Sequence, residues 1–308
     1  METEKLTPAL SDMSQPQLER LAFIEFSLYF LGEVRRADVM QKFNIGPAGA
    51  TRDFKQYRHL APTNIYLESR SKSYMLGSSF SPLFQHVPER VLTMLSRNFG
   101  IGVNMTSEPL LPCEVPSSLS RPNIEILATI TRGIRRRKPV RIRYCSIESG
   151  FSERVLVPLA LVDSGLRWHI RAFDRKHQQF RDFVITRIES AEIVEEDSAG
   201  KNECLDFDIQ WTRIVELKVV PHPAHARPEI VRMDCGMTHE PLVLRVRAAH
   251  AGYLLQLWNV DCSPEHSLDW RQYQLWLTDP LSLYGVNNLV IAPGYKAPDK
   301  TTDAEFKR

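Results

Sequence analysis

The chain predicts an α+β protein of several domains, and three observations carry that expectation. A helix-rich N-terminal stretch closes with a hairpin, short arginine-rich strands follow in the middle, and strands alternate with helices near the C-terminus. Its 308 residues suggest two or three domains of roughly 100–200 residues each. At 43% hydrophobic residues the chain can bury ordinary cores, which excludes a wholly disordered protein. The formal charge of +2 conceals local excesses: residues 35–72 carry eight Lys/Arg against three acids, and residues 131–154 eight against two. A polyanion responds to such concentrations and not to the mean.

Other classes fall away quickly. Met1-Glu2-Thr3-Glu4-Lys5 is unlike a secretory signal. The best apolar run, Leu21 to Leu31, is interrupted by Glu25 and Ser27 and falls short of the ~18–20 residues of a spanning helix, so no membrane partner is expected. Cys113, Cys145, Cys204, Cys235 and Cys262 are odd in number and scattered. They read as reduced small residues of a cytoplasmic protein, not as a disulfide or zinc framework.

Residues 1–14 are polar and read as loose. Gln15 to Leu31 reads as a helix, with Leu18, Leu21, Ile24, Leu28 and Leu31 on one stripe and Phe23, Phe26 and Phe30 widening it. Gly32 ends it. A short helix over Arg36–Phe43 buries Val39, Met40 and Phe43. The turn Asn44-Ile45-Gly46-Pro47 stops that helix and starts a third, which runs to about Leu60. After Pro62, Ile65-Tyr66-Leu67 and Tyr74-Met75-Leu76 read as strands joined by the basic tip Arg70-Ser71-Lys72-Ser73. Three helices and a hairpin within residues 1–80 spell a winged helix-turn-helix.

At about 100° per residue, Ala50, Phe54 and Tyr57 share one side of the third helix. Ala48, Arg52, Lys55, Gln56 and His59 fall on the other, with Thr51 beside them. An arginine can grip guanine and a glutamine adenine in a major groove, so this outward face suits double-stranded DNA, with Arg70 and Lys72 on phosphate or in the minor groove. A solvated helix face is the competing explanation.

Residues 81–120 read as a helical linker, with a helix from Pro88 to about Phe99 and Pro109, Pro112 and Pro116 marking its end. Residues 121–198 read as a small β-barrel entered by a helix, Asn123 to Arg137, that buries Ile124, Leu127, Ile130 and Ile134. Its strands are Val140–Ile147, Glu153–Val162, Arg167–Asp174 and Asp182–Val194. Residues 199–308 read as a ferredoxin-like α+β module. It contains a strand at Arg213–Val220, a helix or extended piece at Arg227–Cys235, a strand at Leu242–Arg247 and a helix at Gly252–Val260. An aromatic element with Trp270, Tyr273 and Trp276 and a disordered tail from Ala292 follow.

The strand Arg167–Asp174 is the most informative. Alternation turns Trp168, Ile170 and Ala172 one way, toward the core, and Arg167, His169, Arg171 and Phe173 the other. His169 and Arg171 thus share a face, as Arg181 and Arg187 would on one strand. An imidazole and several guanidiniums gathered together can hold an anion, and a phosphate bidentately. The competing explanation pairs these arginines with Asp174, Asp182, Glu148 and Glu153 on the surface, each pair worth little. No phosphate-binding glycine loop, zinc-protease or nucleophile-elbow motif occurs, so neither an enzyme nor a cofactor is expected. His222 and His225, with Cys235 and His239 downstream, make a weak metal motif, and Cys145 reads as a spectator thiol.

Four segments together resemble the WYL-domain transcriptional regulators: Arg143-Tyr144-Cys145-Ser146, Arg154-Val155-Leu156-Val157-Pro158-Leu159, Trp168-His169-Ile170-Arg171-Ala172-Phe173-Asp174 and Phe180 to Ile188. His169 and Ile170 replace the signature tyrosine and leucine, a version similar to repressors encoded beside phage-defence systems such as BREX and CBASS. The resemblance implies a winged helix, a central Sm-like barrel and a C-terminal dimerisation module. It also implies an effector site made by Tyr144, Ser146, Arg154, His169, Arg171, Arg181 and Arg187. The expected protein is a homodimeric repressor of a phage-defence operon, bound to a palindromic operator and released by an anionic effector such as a nucleotide or single-stranded nucleic acid. The alternative is a sensing accessory protein whose winged helix makes protein contacts.

Overall fold

The computed structural model describes residues 10, 13–97, 109–116, 120–238 and 241–296. The chain divides into two compact units, 1–116 and 117–308. The expectations for residues 1–9, Phe99, His239 and 297–308 lie outside the described residues.

In the first unit, α1 (Gln15–Phe26) continues through a wider π-helical turn, Ser27–Leu31, and stops at Gly32 with φ +83°. The short strand β1 (Glu33–Val34) leads into α2 (Arg36–Phe43), which ends on Asn44 in the left-handed conformation. Gly46 and Pro47 then open α3 (Pro47–Leu60), where proline's missing N–H costs nothing at a helix start. The hairpin β2 (Ile65–Glu68) and β3 (Ser73–Leu76) pairs antiparallel, and β1 adds a third strand against β3 that the sequence pattern had not announced. Leu21, Ile24, Leu28, Val39, Ala50, Phe54 and Tyr57 form the core. Phe80, Leu83 and Phe84 pack on it, so the buried cluster runs past residue 80. The linker helix is α4, Pro88–Arg97.

The second unit starts with α5 (Ile124–Arg136), capped by Asn123, whose side chain accepts from the Glu125 and Ile126 N–H groups. Five strands follow: β4 (Val140–Ser146), β5 (Gly150–Asp163), β6 (Trp168–Asp174), β7 (Gln179–Val184) and β8 (Ile188–Ile193). Their order is β7-β6-β5-β4-β8. Among the described residues no pairing joins β7 to β8, so the expected closed barrel is an open five-stranded sheet. A 3-10 turn, Ile185–Arg187, splits the expected single strand Asp182–Val194 in two. Helix α5 packs on the sheet at Gly133, where a Cβ would come within 2.7 Å of Val140 Cγ2 and 3.0 Å of Pro158 Cγ. Ile130, Ile142, Leu156, Ile170, Ala172 and Phe183 fill this core.

The C-terminal module holds a one-turn helix α6 (Ile209–Thr212), β9 (Ile214–Pro221), α7 (Pro228–Asp234), β10 (Leu242–Arg247), α8 (Ala248–Leu257), β11 (Val260–Asp261) and β12 (Leu275–Leu277). Its sheet order is β10-β9-β12-β11, with β11 parallel to β12, which departs from the ferredoxin-like arrangement expected. Helix α8 starts four residues before the expected Gly252, because Ala248 and Ala249 are strong helix formers. Asn259, left-handed at φ 49°, separates it from β11. No helix of the described residues is long and apolar enough to cross a membrane.

Candidate nucleic-acid interface and effector site

Helix α3 presents the face its periodicity foretold. Ala50, Phe54 and Tyr57 are buried, while Ala48, Thr51, Arg52, Lys55 and His59 are exposed and Gln56 is half-buried. Thr51 donates its hydroxyl to the Pro47 carbonyl, 2.8 Å away. Among the described residues neither Arg52 nor Lys55 has an ion-pair partner. Arg70 and Lys72 stand exposed on the β2–β3 turn, Lys72 in the left-handed region at φ 54°. Each of these four charges is therefore free for a polyanion.

Two buried acids that the sequence reading had not singled out fix this helix. Asp53, on the inner side of α3, accepts from Arg20 of α1 at 2.6 and 3.3 Å. Glu25 is fully buried and accepts from four groups: the Tyr57 hydroxyl at 2.9 Å, the Leu83 and Phe84 N–H groups at 2.8 and 2.9 Å, and His86 Nε2 at 3.1 Å. One carboxylate thus joins α1, the recognition-type helix and the start of the linker. The signal was visible as an acid inside the apolar run of α1.

The seven residues expected at the effector site fall into separate groups. Directly opposed residues of an antiparallel pair share a face. Ile142 opposes Arg154, Tyr144 opposes Ser152, and Ala172 opposes Arg181. Tyr144, Ser146, Arg154 and Arg181 therefore lie on one face, and His169 and Arg171 on the other. On the first face the Arg154 guanidinium lies 6.0 Å from the Tyr144 ring and 5.7 Å from Phe183. It binds Asp174 at 2.7 Å, and Asp174 also faces His177 at 2.7 Å. Burial alone would raise the Asp174 carboxyl pKa. The hydrogen bonds from His177, the Lys176 N–H and Arg154 together hold it below the ordinary value.

On the second face Arg171 is 3% exposed and fully engaged. It grips Asp208 with Nε at 2.6 Å and Nη2 at 2.8 Å, and gives Nη1 to Asp182 at 3.1 Å. Burial would lower its pKa, but the two carboxylates outweigh that and hold it above the ordinary guanidinium value. His169 is buried against the Tyr253 ring, 4.8 Å between centroids, and burial pushes its imidazole below 6.5 despite Asp182. Arg181 is exposed and Arg187 half-buried in the 3-10 turn, so these two do not share a strand face as expected. Trp168, placed in the core by alternation, is 43% exposed because it sits at the strand's first position, beyond the packed layer. Of these acids, Asp174 and Asp182 were expected as surface partners, and the structure instead buries Asp174 fully and Asp182 in part. Asp208 was not expected as a partner, since it lies 37 residues from Arg171 in a stretch that carries no strand or helix pattern.

A cleft of about 530 Å³ lies elsewhere, in the C-terminal module between Val231, Leu242, Trp258 and Leu275. Trp258 is exposed and Trp270 and Trp276 half-buried. Among the described residues no group of three His, Cys, Asp or Glu side chains could hold a metal. His222 is buried with Nε2 3.3 Å from Asp261, and Cys145 is half-buried in β4.

Three protein families match the chain in succession. Residues 16–97 match the BrxR transcriptional regulator winged helix-turn-helix domain, 125–193 the WYL domain, and 214–283 the BrxR transcriptional regulator C-terminal dimerization domain. The DNA-binding transcriptional repressor CapW of Stenotrophomonas maltophilia is 33% identical over 254 residues, 80% of this chain and 84% of its own. CapW of Pseudomonas aeruginosa is 31% identical over 256 residues, 78% of this chain and 81% of its own. A solved structure of proteasome accessory factor B/C from Arthrobacter aurescens is 15% identical. It covers 89% of this chain and 46% of its own with a TM-score of 0.27, too low to define a common fold. These are regulator domains and not catalysts. By its three matched domains and its identity to the CapW repressors, the chain belongs to the BrxR/CapW family of WYL-domain transcriptional regulators.

Proposed function

We propose that this protein is a homodimeric, DNA-binding transcriptional repressor that acts on a palindromic operator within a phage-defence operon. The observation that carries the reading is the outer face of α3, where Arg52 and Lys55 stand exposed without ion-pair partners beside Thr51 and Gln56. Such a face fits a major groove, with Ala48 allowing close approach, His59 at the far end, and Arg70 and Lys72 of the wing on the flanking backbone. The match of residues 214–283 to a dimerization domain supports a two-fold dimer. Two-fold symmetry then places half-sites one or two helical turns apart, roughly 10 bp per turn.

The same reading assigns the WYL sheet as the sensor of an anionic effector, a nucleotide or a short single-stranded nucleic acid, in the cytoplasm. Arg154 and Arg171 support it because each is already aimed at carboxylate oxygens, the geometry a phosphate would use. Tyr144 and His169 add rings, Ser146 a hydroxyl, and Arg181 and Arg187 further charge. The test is a gel shift on DNA upstream of the protein's own gene, with and without short single-stranded DNA or cyclic nucleotides. A sequence-specific shift relieved by one of these is the expected result. Absence of any shift on that DNA from a folded dimer would favour protein contacts by the winged helix.

A further inference from the structure

Asp208 does two things with one carboxylate. As the cap of α6 it accepts from the Gln210 N–H at 3.1 Å and the Trp211 N–H at 3.3 Å. As the partner of Arg171 it takes both prongs of the guanidinium, at 2.6 and 2.8 Å. The third prong reaches Asp182, whose other oxygen accepts from the Tyr253 hydroxyl of α8 at 3.0 Å. The sensor strand β6 is therefore bolted to two helices of the C-terminal module through a single arginine. Beside it, His169 Nδ1 is buried with no hydrogen-bond partner among the described residues.

A two-pronged grip on a carboxylate is the grip a guanidinium gives a phosphate. We propose that Asp208 is an internal competitor of the effector: its carboxylate holds the Arg171 seat in the DNA-binding state and gives it up to an effector oxyanion in the released state. This rests on the effector reading above. It explains how binding at a closed site reaches the C-terminal module. Arg171 and Asp208 are 3% and 1% exposed, so an anion reaches the guanidinium only as α6 detaches. The ligand thereby prefers the detached state, which is the condition for shifting an equilibrium. A phosphodiester matches a carboxylate in charge and in its two free oxygens, so the effector gains by its further contacts with the sheet, while α6 has the advantage of being tethered.

Asp208→Asn is the discriminating variant. Asparagine caps a helix as well as aspartate and keeps the volume, but it removes the charge and one of the two oxygens offered to Arg171. In the full-length dimer it is expected to bind a fluorescein-labelled thymidine pentanucleotide about tenfold tighter than wild type and its upstream DNA about fivefold more weakly with no ligand added. Arg171→Lys keeps the charge without the fork, and is expected to weaken pentanucleotide binding about tenfold. It serves as the second arm if Asp208→Asn does not fold. Wild-type affinities for both probes in Asp208→Asn would overturn the competition. So would weaker DNA binding with unchanged pentanucleotide affinity, which would make Asp208 only a strut, and so would an indifferent Arg171→Lys. If neither wild type nor Asp208→Asn binds the pentanucleotide, the effector reading itself fails and the competition with it. Wild-type binding with an unresponsive variant sinks the competition alone.

Discussion

Arginines on α3 and on the β2–β3 turn are exposed and carry no ion pair among the described residues, whereas Arg154 and Arg171 in the WYL sheet are buried and each holds at least one carboxylate. The same side chain serves two ends. A solvated guanidinium keeps its water until a phosphate arrives, and its gain comes largely from released counterions. A buried guanidinium cannot wait unpaired, since an isolated charge in a protein interior costs several kcal/mol. The first kind of surface is ready for any polyanion. The second admits a ligand only in exchange for a partner it already has.

The largest effect should come from breaking a buried pair. Arg154→Ala leaves the Asp174 carboxylate buried without its guanidinium, and should destabilise the second unit by about 3–5 kcal/mol in urea unfolding. A loss below ~1 kcal/mol would place Arg154 with the exposed arginines. Next comes Arg52→Ala, expected to weaken binding to the upstream DNA by about 1–3 kcal/mol and to relax specificity at one base pair, with the melting temperature unchanged. Destabilisation in place of lost affinity would contradict the free status of that face. Smaller again, Arg70→Ala or Lys72→Ala should weaken binding evenly across sequences and lower the salt slope by about one each. Anisotropy titrations over a range of salt measure this, and an unchanged slope would take the wing off the backbone.

The smallest effect concerns His169. Its pKa is lowered by burial below the ordinary 6.5, so the unfolded chain binds its proton more readily than the folded protein. Stability then rises with pH between the folded value and 6.5, and falls as pH is lowered through that window. His169→Gln should flatten this part of the urea-unfolding profile relative to wild type. Identical slopes would mean that the imidazole is better solvated than its packing against Tyr253 implies.

How much of this was legible in the sequence depends on what kind of information each part needs. Helix α3 was readable because its faces follow a 3.6-residue period and Pro47 marks its start. The alternation of β6 likewise put His169 and Arg171 together. The break at Ile185–Arg187 was not readable, since Val184-Ile185-Thr186 carries the β-branched composition of a strand and no glycine or proline marks the turn. With that break went the expected alignment of Arg181 with Arg187. Barrel closure depends on which strand edges meet, and the period of a strand does not encode its neighbour. Asp208 was invisible for the same reason: a tertiary partner leaves no local pattern. Glu25 was half-legible, as an oddity in an apolar stripe, but its four donors were not.

That carboxylate also sets how the N-terminal module can be cut away. Three of its four donors, Leu83, Phe84 and His86, lie beyond the hairpin. A fragment stopped at residue 80 would strip Glu25 of three of its four donors and leave it only the Tyr57 hydroxyl, in the core of the winged helix-turn-helix. An excised reader head must therefore carry its leash at least through His86.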